Sequence, residues 1–317
     1  MILSVTLNPC LDKTLTVPDW KPGDSVRGRA VRTVVGGKGN NVARALKRLG
    51  RRARPVTLLG GSTGQLCESL LRSDDGLDPL VTPTAAETRT ILTVRTDGSA
   101  LQSAFFDPDP EISPAEATTL SHRVEGALAE GGVEALTLSG SSPCEATHGL
   151  YSDLIALARA RRVPVFLDTY GPALEGIWGF WPTVIQLNRR EAALHLRRPT
   201  PTEADLLGLL DRWTRHGVLL GVITDGPGVV LAQHRGQRFR VTPPRIEPVN
   251  PIGSGDCFLA GVVDAWLSTS GHDAESLLRH AVGCAVANAL TWDAGAVDPE
   301  QAKQRGQEVV VEPLDTV

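Results

Sequence analysis

Downstream of Asp256 the apolar residues Phe258, Leu259, Val262, Val263, Trp266 and Leu267 recur at helical spacing. That period buries one face of a helix and makes residues 253–256 its first turn. A second stripe of Val42, Ala45, Leu46 and Leu49 carries Arg44, Lys47 and Arg48 on its outer face and stops at Gly50. Residues 2–7 and 31–35 read as strands, and residues 90–96 and 99–106 as two more, joined at Asp97-Gly98, a strong hairpin signal. From Glu134 the pattern is regular, with strands at 135–139, 163–168, 184–187 and 218–224 and helices near 147–160, 189–196 and 203–216. Strand-like runs at 229–233 and 238–242 follow; the Asp256 helix, a helix at 275–291 and a loose tail from about Pro313 complete the chain. Strands alternating with helices predict an α/β fold with a mostly parallel sheet covered on both faces. The Asp97-Gly98 hairpin breaks that order and is expected to stand apart as a small β-sheet, a lid or clasp.

In an open parallel sheet, ligands bind beyond the carboxyl ends of the strands. Asp12, residues 36–41, Ser139-Gly140, Asp168, Asn188, residues 224–228 and residues 250–256 all fall at or just past predicted strand ends. Gly253 and Gly255 have no Cβ to block close approach, and the free N–H groups of a helix start attract anions. Asp256 beside them could take the proton of an attacking hydroxyl while those N–H groups hold the transferred charge. The competing reading has Ser254 or Asp256 simply capping the helix. Asp12 closes the turn Asn8-Pro-Cys-Leu-Asp12 and is either a turn former or a ligand contact. Gly36-Gly-Lys-Gly-Asn-Asn41 places Lys38 on a glycine-rich strand-to-helix turn that is neither a Walker loop nor a complete dinucleotide fingerprint. Asn188 and Glu191 lie three apart at a helix start, where the carboxylate can hold Mg2+ directly or through water, or the pair is a cap with a solvated Glu. Two phosphate-attracting turns, a base candidate and a metal-holding carboxylate suit phosphoryl transfer.

Composition narrows the classes. The 317 residues, 41 % of them hydrophobic, supply a full core for one large α/β domain with an appendage, or for two domains. A net charge of −4 gives no support for nucleic-acid binding, and no stretch approaches the roughly 18 apolar residues of a membrane span. Five scattered cysteines without a Cys-x-x-Cys pair argue against a disulfide framework or structural zinc, and a reducing cytoplasm is the expected location.

The glycine-rich turn at 36–41 and Gly253-Ser-Gly-Asp256 resemble the two signature regions of the ribokinase-like (PfkB) carbohydrate kinases. Asn8-Pro-Cys-Leu-Asp12, Glu87-Thr-Arg89, Leu138-Ser-Gly-Ser-Ser-Pro143, Leu167-Asp-Thr169 and Asn188-Arg-Arg-Glu191 are similar to the branch of 1-phosphofructokinase, tagatose-6-phosphate kinase and the minor 6-phosphofructokinase. The resemblance covers residues 2 to about 295. It implies one ribokinase-like domain over residues 1–317, with a lid from about 12–33 and 88–106, and a homodimer through that lid. It implies Asp256 as catalytic base, with Gly253, Ser254 and Gly255 as anion hole. Asp12, Gly37, Asn41 and Ser139 would face the sugar, and Lys38 and Arg89 its phosphate. Asn188, Thr224, Gly226 and Gly228 would lie on the ATP side, with Glu191 at the Mg2+. The chain departs from the branch at Gln186, where a Lys is usual, at Ser103-Ala-Phe-Phe106 and at Pro251. The leading expectation is a kinase of a phosphorylated ketohexose; a kinase of a neutral sugar or nucleoside and a regulator without catalysis are the alternatives.

Overall fold

Ile2–Thr6 and Ala135–Ser139 are strands with every side chain buried, which only a central place in a sheet covered on both faces allows. The computed structural model describes residues 1–97, 102–177, 179 and 181–314. The elements begin with β1 (Ile2–Thr6), β2 (Cys10–Val17), β3 (Ala30–Gly36), α1 (Lys38–Arg48), β4 (Ala53–Gly60), α2 (Gly61–Ser73), β5 (Leu80–Thr84), β6 (Thr90–Thr96) and β7 (Gln102–Phe106). They continue with α3 (Pro114–Ala129), β8 (Ala135–Ser139), α4 (Leu150–Ala160), β9 (Val165–Asp168), the single turn α5 (Pro172–Glu175), β10 (Val184–Asn188), α6 (Arg189–Leu196) and α7 (Glu203–Arg215). The last are β11 (Leu220–Thr224), β12 (Val230–His234), β13 (Gln237–Thr242), α8 (Ser254–Thr269), α9 (Ala274–Ala289), α10 (Pro299–Gln307) and β14 (Val310–Leu314).

Ten strands form the large sheet in the order β14-β13-β12-β11-β10-β9-β8-β1-β4-β5. Every pairing from β5 to β11 is parallel, and β12 to β14 are added antiparallel. One face is covered by α1, α8, α9 and α10, where Val42, Leu46, Phe258, Leu259, Val262, Val263 and Trp266 are buried against β-strand residues such as Phe166 and Val222. The other carries α3, α4 and α7, burying Leu120, Val124, Leu154, Leu209 and Trp213 against Leu3, Val5 and Leu138. Each such side chain contributes roughly 1.5–3 kcal/mol by leaving water. The predicted helical stripes are therefore the faces that meet the sheet. A separate four-stranded sheet has the order β3-β2-β6-β7.

Three expectations need correction. The turn signal of Asn8-Pro9 ends sooner than expected, because β2 begins at Cys10; Asp12 is a strand residue opposite Val34 and beside Ile91. The tail is not loose at Pro313, since β14 pairs Pro313 with Phe239 and Glu312 with Arg240; residues 315–317 lie outside the described residues. Residues 53–129 also hold β4, α2, β5 and α3, which hydrophobic periodicity left unassigned. The signal for α3 was local: Ser113 and Glu116 form a reciprocal capping box with Pro114 at the first helical position. The tip of the predicted hairpin, Gly98, is likewise outside the described residues.

Candidate active site

No side chain caps α8. Gly253 precedes it at φ +83°, a left-handed conformation that glycine adopts freely, and a Cβ there would come within 2.7 Å of the Ala294 Cβ. Behind the turn, then, the space is filled. In front it is open, since a Cβ on Gly255 would meet nothing nearer than Gln186 Nε2 at 3.7 Å. The backbone amides of Gly255 and Asp256 have no acceptor among the described residues, as expected of an uncapped helix start, whereas the Ser254 amide reaches the Pro251 carbonyl and Ser254 Oγ accepts from Asn288 Nδ2. The turn thus offers two unsatisfied N–H groups to an anion. Gln186 donates from Nε2 to the Gly255 carbonyl at 2.8 Å and so holds the turn from below.

Asp256 follows with its side chain buried. Its Oδ2 accepts from Asn41 Nδ2 at 2.7 Å, and no donor reaches Oδ1 among the described residues. Burial pushes its carboxyl up to about 7; nearby Lys38 works against that rise and Asp168 reinforces it. A carboxyl poised there is ionised or protonated according to small changes around neutrality.

Lys38 opens α1, and its Nζ donates to Asp168 Oδ1 and Glu191 Oε1, each at 2.9 Å. Although burial opposes its charge, Asp168 and Glu191 hold the ammonium protonated well above the ordinary lysine range. Lys38 is therefore matched by two carboxylates, not a free cation awaiting a phosphate. Glu191 is also not the solvated partner of a cap. It is buried, its Oε2 accepts from the Asn188 amide at 2.9 Å, and the Asn188 side chain accepts from the Glu191 amide in return.

At the other end of the cleft, Asp12 accepts from Cys10 Sγ at 3.6 Å. Burial raises its carboxyl above the usual range, with Cys10 and Arg89 opposing. Arg89 donates to Asp109 at 2.8 Å and more weakly to the Asn8 carbonyl at 3.4 Å, while its buried Nε has no partner among the described residues.

Asp12, Gly37, Lys38, Asn41, Arg89, Asn188, Glu191, Thr224, Gly253, Gly255 and Asp256 line a single cleft of about 460 Å3 between the two sheets. Four expected residues do not line it. Ser139 is buried in β8 with its carbonyl taken by the Tyr151 hydroxyl, and Gly140 and Ser141 reach the cleft instead. Ser254 faces Asn288 as described. Gly226 and Gly228 lie in the turn after β11, where the Gly228 amide closes on Asp225. Conversely, sequence reasoning missed Arg32, Tyr170 and the run Trp292-Asp293-Ala294. The Arg95 guanidinium sits 4.1 Å from the Trp292 ring centre and Arg32 pairs with Asp293, so β6 and β3 both touch the loop that backs the anion turn. A tryptophan and an aspartate just past a buried helix were the available signal.

Residues 5–301 match the family model for pfkB family carbohydrate kinases. Among solved structures, the chain is similar to phosphofructokinase-2 from Escherichia coli in complex with fructose-6-phosphate, with TM-score 0.85, 24 % identity and coverage of 97 % of this chain and 98 % of that one. It is similar to a possible 1-phosphofructokinase from Thermotoga maritima, with TM-score 0.87, 23 % identity and coverage of 99 % and 100 %. A putative phosphofructokinase from Staphylococcus aureus aligns with TM-score 0.81 at 22 % identity over 99 % of each chain. The fold is therefore ribokinase-like, and the match across nearly the whole length assigns this chain to the pfkB family of carbohydrate kinases, as a sugar kinase.

Proposed function

We propose that the protein transfers the γ-phosphoryl group of ATP to a hydroxyl of a ketohexose phosphate (fructose 1-phosphate, tagatose 6-phosphate or fructose 6-phosphate), giving the bisphosphate. The observation that carries this reading is the juxtaposition of Asp256, with Oδ1 unbonded, and the two free amides of the Gly253 turn, both among the described residues, on a cleft that also holds Asp12 and Arg89. Asp256 Oδ1 takes the proton of the acceptor hydroxyl as its oxygen bonds to the γ-phosphorus and the bond to the departing ADP oxygen breaks. The Gly255 and Asp256 amides hold the charge of the group in transit. Burial and the open front of the turn leave room for phosphate oxygens where a Cβ would otherwise stand.

Mg2+ fits this cleft as an ion carried largely by the nucleotide. Among the described residues no group of three His, Cys, Asp or Glu side chains converges as a metal cage, and Mg2+ held by phosphates and waters requires none. Glu191, with its oxygens already accepting from Lys38 and Asn188, and Asn188 itself would face the hydrated ion. The ion would supply charge neutralisation on the phosphates.

Arg32 and Arg89 line the cleft and suit an anionic acceptor, as does the likeness to a phosphofructokinase seen with fructose-6-phosphate. The full pairing of Lys38 with Asp168 and Glu191 favours a second reading, a kinase of a neutral sugar, in which no cation is reserved for the acceptor. An ADP-release assay across fructose 1-phosphate, fructose 6-phosphate, tagatose 6-phosphate, fructose, ribose and adenosine separates the two, with Arg89→Ala as a control. Under the first reading a sugar phosphate is turned over and Arg89→Ala raises its KM about 10- to 100-fold, the worth of a charge-assisted hydrogen bond, with KM for ATP unchanged. Turnover of a neutral sugar alone, indifferent to Arg89, overturns it.

The outer strand β7 supports a homodimer through the small sheet. All five of its residues are exposed, and Phe105 and Phe106 present 54 % and 64 % of their surface. An open strand edge bearing aromatic side chains invites pairing with a second copy. Five cysteines, all free, fit a cytoplasmic setting.

A further inference from the structure

Arg44 lies one turn along α1 from Asn41, and all five of its N–H donors are used. Nε and Nη2 hold Asp75 at 2.7 and 2.8 Å, Nη2 also reaches the Val35 carbonyl at 3.0 Å, and Nη1 reaches the Ala294 carbonyl at 3.0 Å and Asn41 Oδ1 at 2.8 Å. Arg44 is buried, with 9 % of the residue exposed. Because Arg has donors and no acceptor, the Asn41 amide has one orientation available to it: Oδ1 toward Arg44 and Nδ2 toward Asp256. A flipped amide would set N–H against N–H at one end and carbonyl against carboxylate at the other. Ala294, the second carbonyl Arg44 holds, is the residue that fills the space behind Gly253.

We infer that Arg44, clamped by Asp75, is a positioning residue that locks the Asn41 amide so that it binds Oδ2 of Asp256 and leaves Oδ1 as the proton-accepting atom. The inference rests on the reading of Asp256 as the base. Arg44 does not touch the reacting atoms; it acts through Asn41. The other charged groups facing Asp256 are Lys38 from α1, Asp168 from β9 and Glu191 from α6, and none of them contacts the Asn41 amide.

The test is a double-substitution cycle in the full-length protein, with kcat, KM and the pH profile of kcat/KM measured for Arg44→Lys, Asn41→Ala and the pair. Arg44→Lys is expected to lower kcat about 10- to 100-fold with KM for ATP unchanged. It should also move the acid limb of the profile upward, since a turned amide no longer stabilises the carboxylate. With Asn41→Ala already present, Arg44→Lys should change kcat by less than about threefold and leave the limb in place. Losses that multiply independently, with no movement of the limb, overturn the inference and mark Arg44 as structural. Should Arg44→Lys fail to fold, Asp75→Asn, which keeps the guanidinium and loosens its clamp, takes its place with the same direction and a smaller size. Asp256→Asn alone separates this from the parent reading: an active Asp256→Asn removes both, whereas an inactive one with independent Arg44 and Asn41 effects removes only the positioning role.

Discussion

Asp256 illustrates what one residue contributes and costs. Its folded carboxyl keeps its proton up to about 7, against an ordinary 3.8, chiefly because it is buried. The folded state therefore binds the proton more tightly than the unfolded chain. Stability contributed by the protonated form is present at acid pH and is lost as pH rises from about 4 through 7, so at pH 8 the ionised carboxylate opposes folding. Asp256→Asn, a neutral isostere, should melt at a higher temperature than wild type at pH 8, and the gap should close as pH falls toward 4; thermal melts across that range check it. An equal gap at every pH would show that the carboxyl is not perturbed by burial. The residue's place at a helix start was legible from the apolar stripe behind it. Lys38 was legible as a cleft residue, but its partners were not. Asp168 and Glu191 lie 130 and 153 positions away, and a four-carbon side chain meets whatever carboxylate the fold delivers. The Asn188–Glu191 cap could be read from spacing, while the burial of Glu191 under Lys38 could not.

Between elements, the connection most hidden from the sequence is that of the small sheet to the loop after α9. Arg95 of β6 stacks on Trp292 and Arg32 of β3 pairs with Asp293, and the next residue, Ala294, backs Gly253. The position of the sheet is thereby tied to the anion turn. Trp292→Ala removes the cation–π contact, about 0.5–2 kcal/mol, and is expected to raise KM for the sugar about 3- to 30-fold with a smaller effect on kcat. Steady-state kinetics check this, and an unchanged KM would detach the sheet from acceptor binding. Elements with long periodic stripes, α1 and α8, were readable because the stripe is the buried face. The region 53–129 was not, since β4 lies inside the sheet and reads as Pro-Val-Thr-Leu-Leu without alternation, and α2 follows it with no side-chain cap to announce the turn.

For the whole molecule, the alternation of strand and helix after residue 134 was enough to expect a mostly parallel sheet, and the strand order bears that out. What alternation cannot supply is the antiparallel extension β12 to β14, because β14 returns from the far end of the chain to pair with β13. No helix among the described residues is long and apolar enough to cross a membrane. The exposed β7 edge carries the proposed dimer. Phe105→Asp puts a charge on it, away from the cleft that Phe106 lines, and should convert a dimer into a monomer in sedimentation velocity, while an unchanged sedimentation coefficient would place the interface elsewhere.

The convergence of the residue 36–41 turn and the Gly253–Asp256 turn on one cleft, joined by the Asn41–Asp256 hydrogen bond, is what supports the proposal of Asp256 as the base. Rapid-quench measurement of single-turnover phosphoryl transfer from ATP, wild type against Asp256→Asn, addresses it directly. The expected result is a chemical step slowed about 10²- to 10⁴-fold with ATP affinity retained. A rate within about threefold of wild type would contradict it, and the proton of the acceptor would have to leave by another route.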